Sequence, residues 1–357
     1  MSHKLKPLFI GDVEVKVPIV QGGMGARVSM APLAAAVANC GGAGTIASVG
    51  LGNDDLGNTS EFAKFAKEGL KKEIRLAKKL SKGVIGVNIM FALTNYEDLV
   101  RTSVEENADF IVSGAGLPLN LPELTKGSPI KLIPIVSSAR AADIIIKTWK
   151  RRYDRLPDAV LVEGPMAGGH LGFKPEEIKT SLLENIVSDV IETVGKYQEK
   201  YNRNIPVIAA GGLFDGKDIA KFLKLGAQGV QLGTRFVATN ECSISEKFKK
   251  LYIKARDEDT VIIKSPVGLP GRAIKNKFID RIIRGEKILV KCGYKCLKTC
   301  KPKEVPYCIA KALLNAVEGN VDEAVIFAGS NVSKINKIVS VKELMDELVA
   351  ETIKELE

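Results

Sequence analysis

The sequence predicts an α/β fold: a (β/α)8 TIM barrel with a small inserted cap subdomain. Three observations lead there. Short apolar runs alternate with longer segments of helical spacing eight times between the N-terminus and about residue 235. The runs are apolar throughout rather than alternating, as expected of parallel strands covered on both faces. The chain has 357 residues, 45% of them hydrophobic. That is enough to bury one large core, and eight βα units close most simply into a barrel.

The eight runs are residues 18–22, 44–49, 84–90, 110–113, 132–136, 159–163, 206–210 and 229–234. Helical spacing fills 60–80, 96–107, 139–151, 182–200 and 216–225. Gly41-Gly42-Ala43-Gly44 reads as a helix C-cap followed by a strand start. An open doubly wound sheet would be expected to carry a Gly-x-Gly-x-x-Gly turn at its first helix, and none is present. After residue 235 the rhythm gives way to a basic, cysteine-bearing stretch with Pro266, Pro270, Pro302 and Pro306, read as an excursion over the barrel mouth. Residues 341–356 have the pattern of an amphipathic helix, the eighth of the barrel. The expected organisation is therefore a barrel from 1–235 plus 320–357, with 236–319 as a mostly helical cap inserted between strand eight and its helix.

Charge and composition exclude several classes. The net charge of +10 arises from 52 basic and 42 acidic residues, with lysines scattered through helix-like segments as solvated faces would be. The same charge would steer an anionic substrate or an acidic carrier protein. Nucleic acid is not expected as a partner, because no binding motif accompanies the charge and aromatic residues make up only 6%. The N-terminal residues lack the apolar run of a signal peptide, and no stretch is long and charge-free enough to span a bilayer. The expectation is a soluble cytoplasmic protein without membrane contact. A homodimer is the general expectation for such an enzyme.

In a barrel, chemistry belongs to the loops that leave the strand C-termini. Run seven closes with Ala210-Gly211-Gly212 and run eight with Gln231-Leu232-Gly233-Thr234. Glycines let backbone amides approach a phosphate, a threonine hydroxyl can complete its hydrogen bonding, and these two loops are the usual phosphate site. A single glycine turn is more simply structural, but glycine turns on two adjacent strands point to an anion. Run six ends in Glu163-Gly164-Pro165-Met166-Ala167-Gly168-Gly169-His170, which places an imidazole on a glycine-hinged loop facing the mouth. Its sole rival is His3, so a histidine-rich metal centre is excluded.

These motifs, with Pro18-Ile19-Val20-Gln21-Gly22-Gly23-Met24 and Gly86-Val87-Asn88-Ile89-Met90, resemble a family of FMN-dependent barrels. It comprises nitronate monooxygenases (2-nitropropane dioxygenases) and flavin-dependent enoyl-acyl-carrier-protein reductases. The resemblance implies FMN as cofactor, with its phosphate on Gly211, Gly212, Gly233 and Thr234. It places Gly23, Met24 and Asn88 along the isoalloxazine and Glu163 near the ribityl or ring. Gly22, Gly168, Gly169 and Gln231 complete the cofactor's surroundings, and His170 sits over the reactive face as catalytic residue. A monooxygenase would use His170 as the base for neutral nitroalkanes and oxidise nitronates with dioxygen. A reductase would take hydride from NAD(P)H and deliver it to an enoyl thioester, on acyl carrier protein or otherwise.

Glu163 leans toward the reductases, as does the basic surface. Met166 and Pro165 depart from both groups, and the segment from Ser265 to Arg272 lacks histidines found in some reductases. The expectation adopted is a nitronate-monooxygenase-like oxidoreductase. A non-redox isomerase, or a dehydrogenase of the purine-nucleotide type, would fit the same barrel. The latter needs a cysteine nucleophile after a strand, and none of the eight run ends has one.

Four of the six cysteines are grouped as Cys292, Cys296, Cys300 and Cys308, a C-x3-C-x3-C-x7-C spacing unlike common zinc patterns. A cytoplasmic location argues against disulfides. Lys291, Lys295, Lys298, Lys301 and Lys303 are expected to lower the thiol pKa values and favour thiolates. No metal is assigned: reduced, partly buried thiols are expected, with a zinc or iron–sulfur site as the alternative. Cys40 and Cys242 are expected to be packing residues.

Overall fold

All eight apolar runs become strands of one closed barrel in the computed structural model, which describes residues 5–51, 61–290, 292 and 296–357. Residue 60, where the first helical stretch is expected to begin, and His3, Lys291 and Lys295 lie outside the described residues. The strands are β1 (Ile19–Gln21), β2 (Ala43–Ala47), β3 (Val84–Met90), β4 (Phe110–Gly114), β5 (Lys131–Val136), β6 (Val160–Glu163), β7 (Val207–Ala210) and β8 (Gly229–Leu232). Each pairs in parallel with the next and β8 pairs with β1, so the predicted barrel closes.

Within each apolar strand the pleat divides side chains between two cores. Val20, Phe110, Val112, Ile133, Leu161 and Ile208 point into the barrel, whereas Ile19, Ile111, Leu132, Val160, Val162 and Val207 face the helices. Both sets are buried, which is why the sequence runs show no polar alternation. An antiparallel hairpin, Leu8–Ile10 with Val13–Val15, plugs the barrel floor: Leu8, Ile10 and Val15 belong to the interior cluster. Beside the floor, buried Asp158 accepts from the backbone N–H of Leu132 at 2.8 Å and from Arg203 Nη2 at 2.6 Å, and also binds the Arg155 guanidinium.

The outer layer is α1 (Ala31–Asn39), α2 (Phe62–Leu80), α3 (Tyr96–Glu105), the single turn α4 (Leu121–Leu124), α5 (Ala139–Tyr153), α6 (Leu183–Tyr201) and α7 (Gly216–Leu225). Helix α2 shows the logic: Ala66, Leu70, Ile74 and Ala77 recur at three- and four-residue intervals on the buried face. Side chains of Ser138 and Asp215 cap α5 and α7. The chain then makes α8 (Thr234–Val237), α9 (Glu246–Lys254), α10 (Lys277–Ile283) and α11 (Ile309–Glu318) before returning as α12 (Val341–Leu356). A Ser340–Glu343 capping box starts α12. It packs against α7 and α1, and Glu351 accepts from the Gly216 N–H at 2.9 Å.

The region between β8 and α12 differs from the expected mostly helical cap. Residues Thr260–Lys264 and Pro270–Ile274 form an antiparallel hairpin, and Gly169–His170 from the β6 loop adds a third strand. The β-branched run Val261-Ile262-Ile263 favours the hairpin, but the third strand, which pairs with Gly271 and Arg272, comes from about a hundred residues upstream in sequence and is fixed only by the tertiary fold. Residues 324–331, grouped with the barrel by sequence, also cross the mouth: Phe327 bridges to Ala273, and the Ile274 N–H donates to the Ile326 carbonyl at 2.8 Å. Among the described residues no helix is long and apolar enough to cross a membrane.

Candidate active site

The β1–α1 loop forms one wall of the mouth. Buried Gln21 holds it: its Oε1 accepts from the Thr45 N–H at 3.0 Å and its Nε2 donates to Ser29 Oγ at 2.7 Å. Ser29 Oγ in turn donates to the Gly22 carbonyl and accepts from the Met24 N–H, both at 2.9 Å. Gly23 lies directly against β3; a Cβ there would stand 2.2 Å from the Cβ of Asn88. Only glycine lets the loop come this close.

The β6 loop supplies Glu163, Gly168, Gly169 and His170. Sequence reasoning treats it as a hinged loop, but the structure ties it down. Gly169 and His170 pair with Arg272 and Gly271, and the buried Arg272 guanidinium donates to the carbonyls of Pro165 at 2.6 Å and Ala167 at 2.7 Å. The His170 ring meets Phe327 edge-on at 4.9 Å, and its Nε2 is 2.7 Å from Ser265 Oγ. The imidazole is thus fixed by two residues of the cap and mouth segments.

Beyond β7, Gly211 and Gly212 adopt φ of +92° and +104°, a conformation that side chains disfavour. Asn331 Nδ2 donates to the Gly212 carbonyl, and Thr234 Oγ1 accepts from the Gly329 N–H at 2.9 Å. All the residues singled out from sequence, namely Gly22, Gly23, Met24, Asn88, Glu163, Gly168, Gly169, His170, Gly211, Gly212, Gln231, Gly233 and Thr234, border one cavity of about 250 Å³ at the C-terminal mouth.

The description Nitronate monooxygenase belongs to the family whose sequence profile matches residues 6–351 of this chain. The chain belongs to the nitronate monooxygenase family. It is similar to a (3aS,4S,5R,7aS)-5-hydroxy-7a-methyl-1-oxo-octahydro-1H-indene-4-carboxyl-CoA dehydrogenase of Rhodococcus jostii, at 27% identity over 97% of this chain and 95% of the relative. It is also similar to a probable nitronate monooxygenase of Staphylococcus saprophyticus, at 28% identity over 78% and 81%. Among solved structures it resembles FabK from Thermotoga maritima, with a TM-score of 0.76 and 29% identity over 95% of this chain and 94% of that one. The protein is accordingly an oxidoreductase of a flavin-using family that acts on small-molecule substrates.

In this nitronate monooxygenase family member the cavity's own chemistry suits a flavin. The Gln231 Oε1 is buried on its wall with no hydrogen-bond partner, an acceptor awaiting a donor. Met24, Val49, Met90, Ile135 and Leu213 provide apolar wall for a flat ring system, and the glycine turns of β7 and β8 provide backbone amides at one end. Among the described residues no lysine or arginine borders the cavity, and Glu163 is its one acidic residue. Burial pushes the Glu163 carboxyl up to about 7 and pulls the His170 imidazole down to about 4. At neutral pH, therefore, His170 is uncharged and Glu163 is shared between its two forms.

Sequence reasoning missed Ser265, Phe327, Gly329 and Asn331, which hold or border the site. The signal for the last two was the run Ala328-Gly329-Ser330-Asn331, small and polar after the apolar Ala324-Val325-Ile326-Phe327. For Ser265 there was none, because the contact with His170 spans 95 residues.

The cysteines correct one expectation. Burial, and after it the neighbouring thiols, push Cys296 up to about 12 and raise Cys300 and Cys308, so the lysines do not make thiolates of them. Two of the lysines are occupied elsewhere: Lys298 Nζ donates to the Phe91 carbonyl at 2.9 Å and lies 4.2 Å above that ring, and Lys301 pairs with Glu304 at 3.2 Å. Cys242 is buried with Sγ 3.6 Å from the Val28 carbonyl, and Cys40 is half-buried beneath α12.

Proposed function

We propose that this protein binds FMN in the mouth cavity and oxidises alkyl nitronates, and the nitroalkanes that give rise to them, with His170 as the base. The observation that carries the reading is a single cavity bordered at one end by the glycine turns of β7 and β8 and elsewhere by an uncharged imidazole. Backbone amides of Gly211, Gly212 and Gly233 with the Thr234 hydroxyl would hold the phosphate. Gly23, Met24 and Asn88 would line the ring, Glu163 would face the ribityl or ring, and Gly22, Gly168, Gly169 and Gln231 would close the rest. Bound flavin supplies the redox capacity, taking electrons from the substrate and giving them to dioxygen.

The chain's own residues do the remaining work. The neutral His170 accepts the proton from the carbon bearing the nitro group, and the nitronate anion that forms beside it offsets the cost of a buried imidazolium. Ser265 fixes the ring's angle during that transfer. On the acid side of neutrality Glu163 stays protonated, which removes a like charge from the approach of an anionic nitronate.

A second reading, an NAD(P)H-dependent enoyl thioester reductase, is favoured by a further apolar chamber of about 70 Å³ beside His170, lined by Leu93, Leu297, Leu313 and Leu314. It is the kind of space an acyl chain would enter, and the FabK and indene-carboxyl-CoA dehydrogenase relatives point the same way. The test begins with the visible spectrum and the identity of the released cofactor, expected to be FMN. Anaerobic propionate-3-nitronate is expected to bleach the flavin and air to restore it. Rapid bleaching by NADH or NADPH, with turnover of crotonyl thioester, would transfer the assignment to the reductase. A colourless protein that takes up no FMN overturns both.

A further inference from the structure

We propose that Cys292, Cys296, Cys300 and Cys308 hold an iron–sulfur cluster in the cap, a single layer of side chains from the mouth cavity. The inference stands apart from the flavin reading. Its starting point is the crowding of four of the chain's six cysteines between positions 292 and 308, all partly buried and none in a disulfide.

The fold brings Cys296, Cys300 and Cys308 together from two sides, and Cys292 lies near enough to perturb each of their thiols. Leu297 bridges to Leu93, the Thr94 N–H donates to the Cys296 carbonyl at 3.1 Å, and the Lys298 N–H donates to the Ala92 carbonyl at 2.9 Å. This fastens the Cys296 backbone to the loop after β3. Cys300 follows in a turn, its N–H reaching the Leu297 carbonyl at 3.3 Å, and both Cys296 and Cys300 pack on the core. From the other side comes Cys308, the residue that starts α11. The next two residues, Ile309 and Ala310, border the same small apolar chamber as Cys296. The backbone N–H groups of Ala310 and Lys311 lie where they favour the Cys308 thiolate. Such donors stabilise a metal-bound thiolate and tune it.

Two observations select a cluster over a single ion. Among the described residues no three His, Cys, Asp or Glu side chains converge closely enough to hold one metal ion. The C-x3-C-x3-C-x7-C spacing also departs from the paired cysteines of zinc sites. A cluster brings its own bridging sulfides, is wider than an ion, and takes thiolates that stand apart from one another. Binding would convert each thiol to a thiolate with release of its proton. The lysine-rich segment suits an assembly left net negative by thiolates and sulfides. The chamber shares Val49, Met90, His170 and Leu313 with the mouth cavity, so the cluster would lie directly behind the proposed catalytic imidazole.

The test is metal analysis of the full chain, produced with added iron and purified without oxygen, with acid-labile sulfide and flavin measured on the same sample. Expected are equal amounts of iron and sulfide, about two to four of each per chain, a broad absorption beyond the flavin bands that dithionite bleaches, and a paramagnetic signal on reduction. A Cys296→Ser, Cys308→Ser double variant is expected to fall below about a tenth of that iron while keeping its flavin, and Cys40→Ser to keep both. Stoichiometric zinc without sulfide would overturn the cluster. So would four free, titratable thiols after reconstitution with iron and sulfide, or iron retained in the double variant. Should that variant fail to fold, the metal and sulfide content of the unaltered chain decides. Flavin content reports separately on the proposed function.

Discussion

Replacing Glu163 by glutamine tests the electrostatics of the cavity without recourse to substrate. The carboxyl rises from an ordinary value of 4.5 to about 7 because burial penalises its charged form. A raised folded-state value means the fold binds the proton more tightly than the unfolded chain does. Stability is therefore complete below pH 4.5 and falls as pH climbs to 7, after which the loss is constant. A rise of that size corresponds to about 3 kcal/mol at roughly 1.4 kcal/mol per unit. Glu163→Gln removes this loss, so in flavin-free protein the variant should gain about 3 kcal/mol on the wild type between pH 4.5 and pH 8. The assay is urea unfolding of both proteins at the two pH values, read as a double difference. His170, whose value falls from 6.5 to about 4, adds stability as pH rises through that window, but it does so in both proteins and cancels. Parallel pH–stability curves for the two proteins would show that Glu163 does not carry a buried charge, and the account of the cavity would fail.

Three further perturbations follow from the same geometry. His170→Ala should leave the flavin spectrum intact while turnover of neutral nitroalkanes drops by about 10²- to 10⁴-fold, with preformed nitronates much less affected; steady-state kinetics on the two substrate forms gives the answer. Gly23→Ala forces its new Cβ to within 2.2 Å of Asn88, so flavin affinity should fall by about tenfold or more from an overpacking cost of about 1–3 kcal/mol, measured by fluorescence titration of flavin-free protein. Asp158→Ala removes the buried acceptor of the Leu132 N–H and the partner of the part-exposed Arg155 and Arg203, and should cost about 1–3 kcal/mol in chemical denaturation while the site's spectrum is unchanged.

The legibility of this fold varies with the range of the interactions. Strands such as Ile111–Val112 and Val160–Val162 were readable because both faces of a parallel barrel strand are buried, so apolarity runs unbroken. Which residues face inward was not readable, since the same unbroken pattern hides the pleat. The Leu8–Val15 region looked strand-like, but its use as a floor plug depends on contact with Phe110 and Ile208. At the mouth, glycine turns announced themselves through composition. The clamp of Arg272 on Pro165 and Ala167, and the Ser265 and Phe327 contacts to His170, link segments 95 to 157 residues apart, and no local pattern encodes such pairs.

The cysteines mark the same boundary from the other direction. Their spacing with lysines suggested ionised thiols, whereas burial, a property of the whole molecule, decides that Cys296, Cys300 and Cys308 stay protonated without a metal. Strand identity, helix faces and the glycine-rich turns were determined by the sequence itself, because they arise from hydrophobic periodicity and backbone freedom acting over a few residues. The protonation of Glu163 and His170, the fixed pose of that imidazole, and the closing of one cavity by residues 324–331 were decided by tertiary structure alone. They depend on how far each group is removed from water by segments distant in sequence.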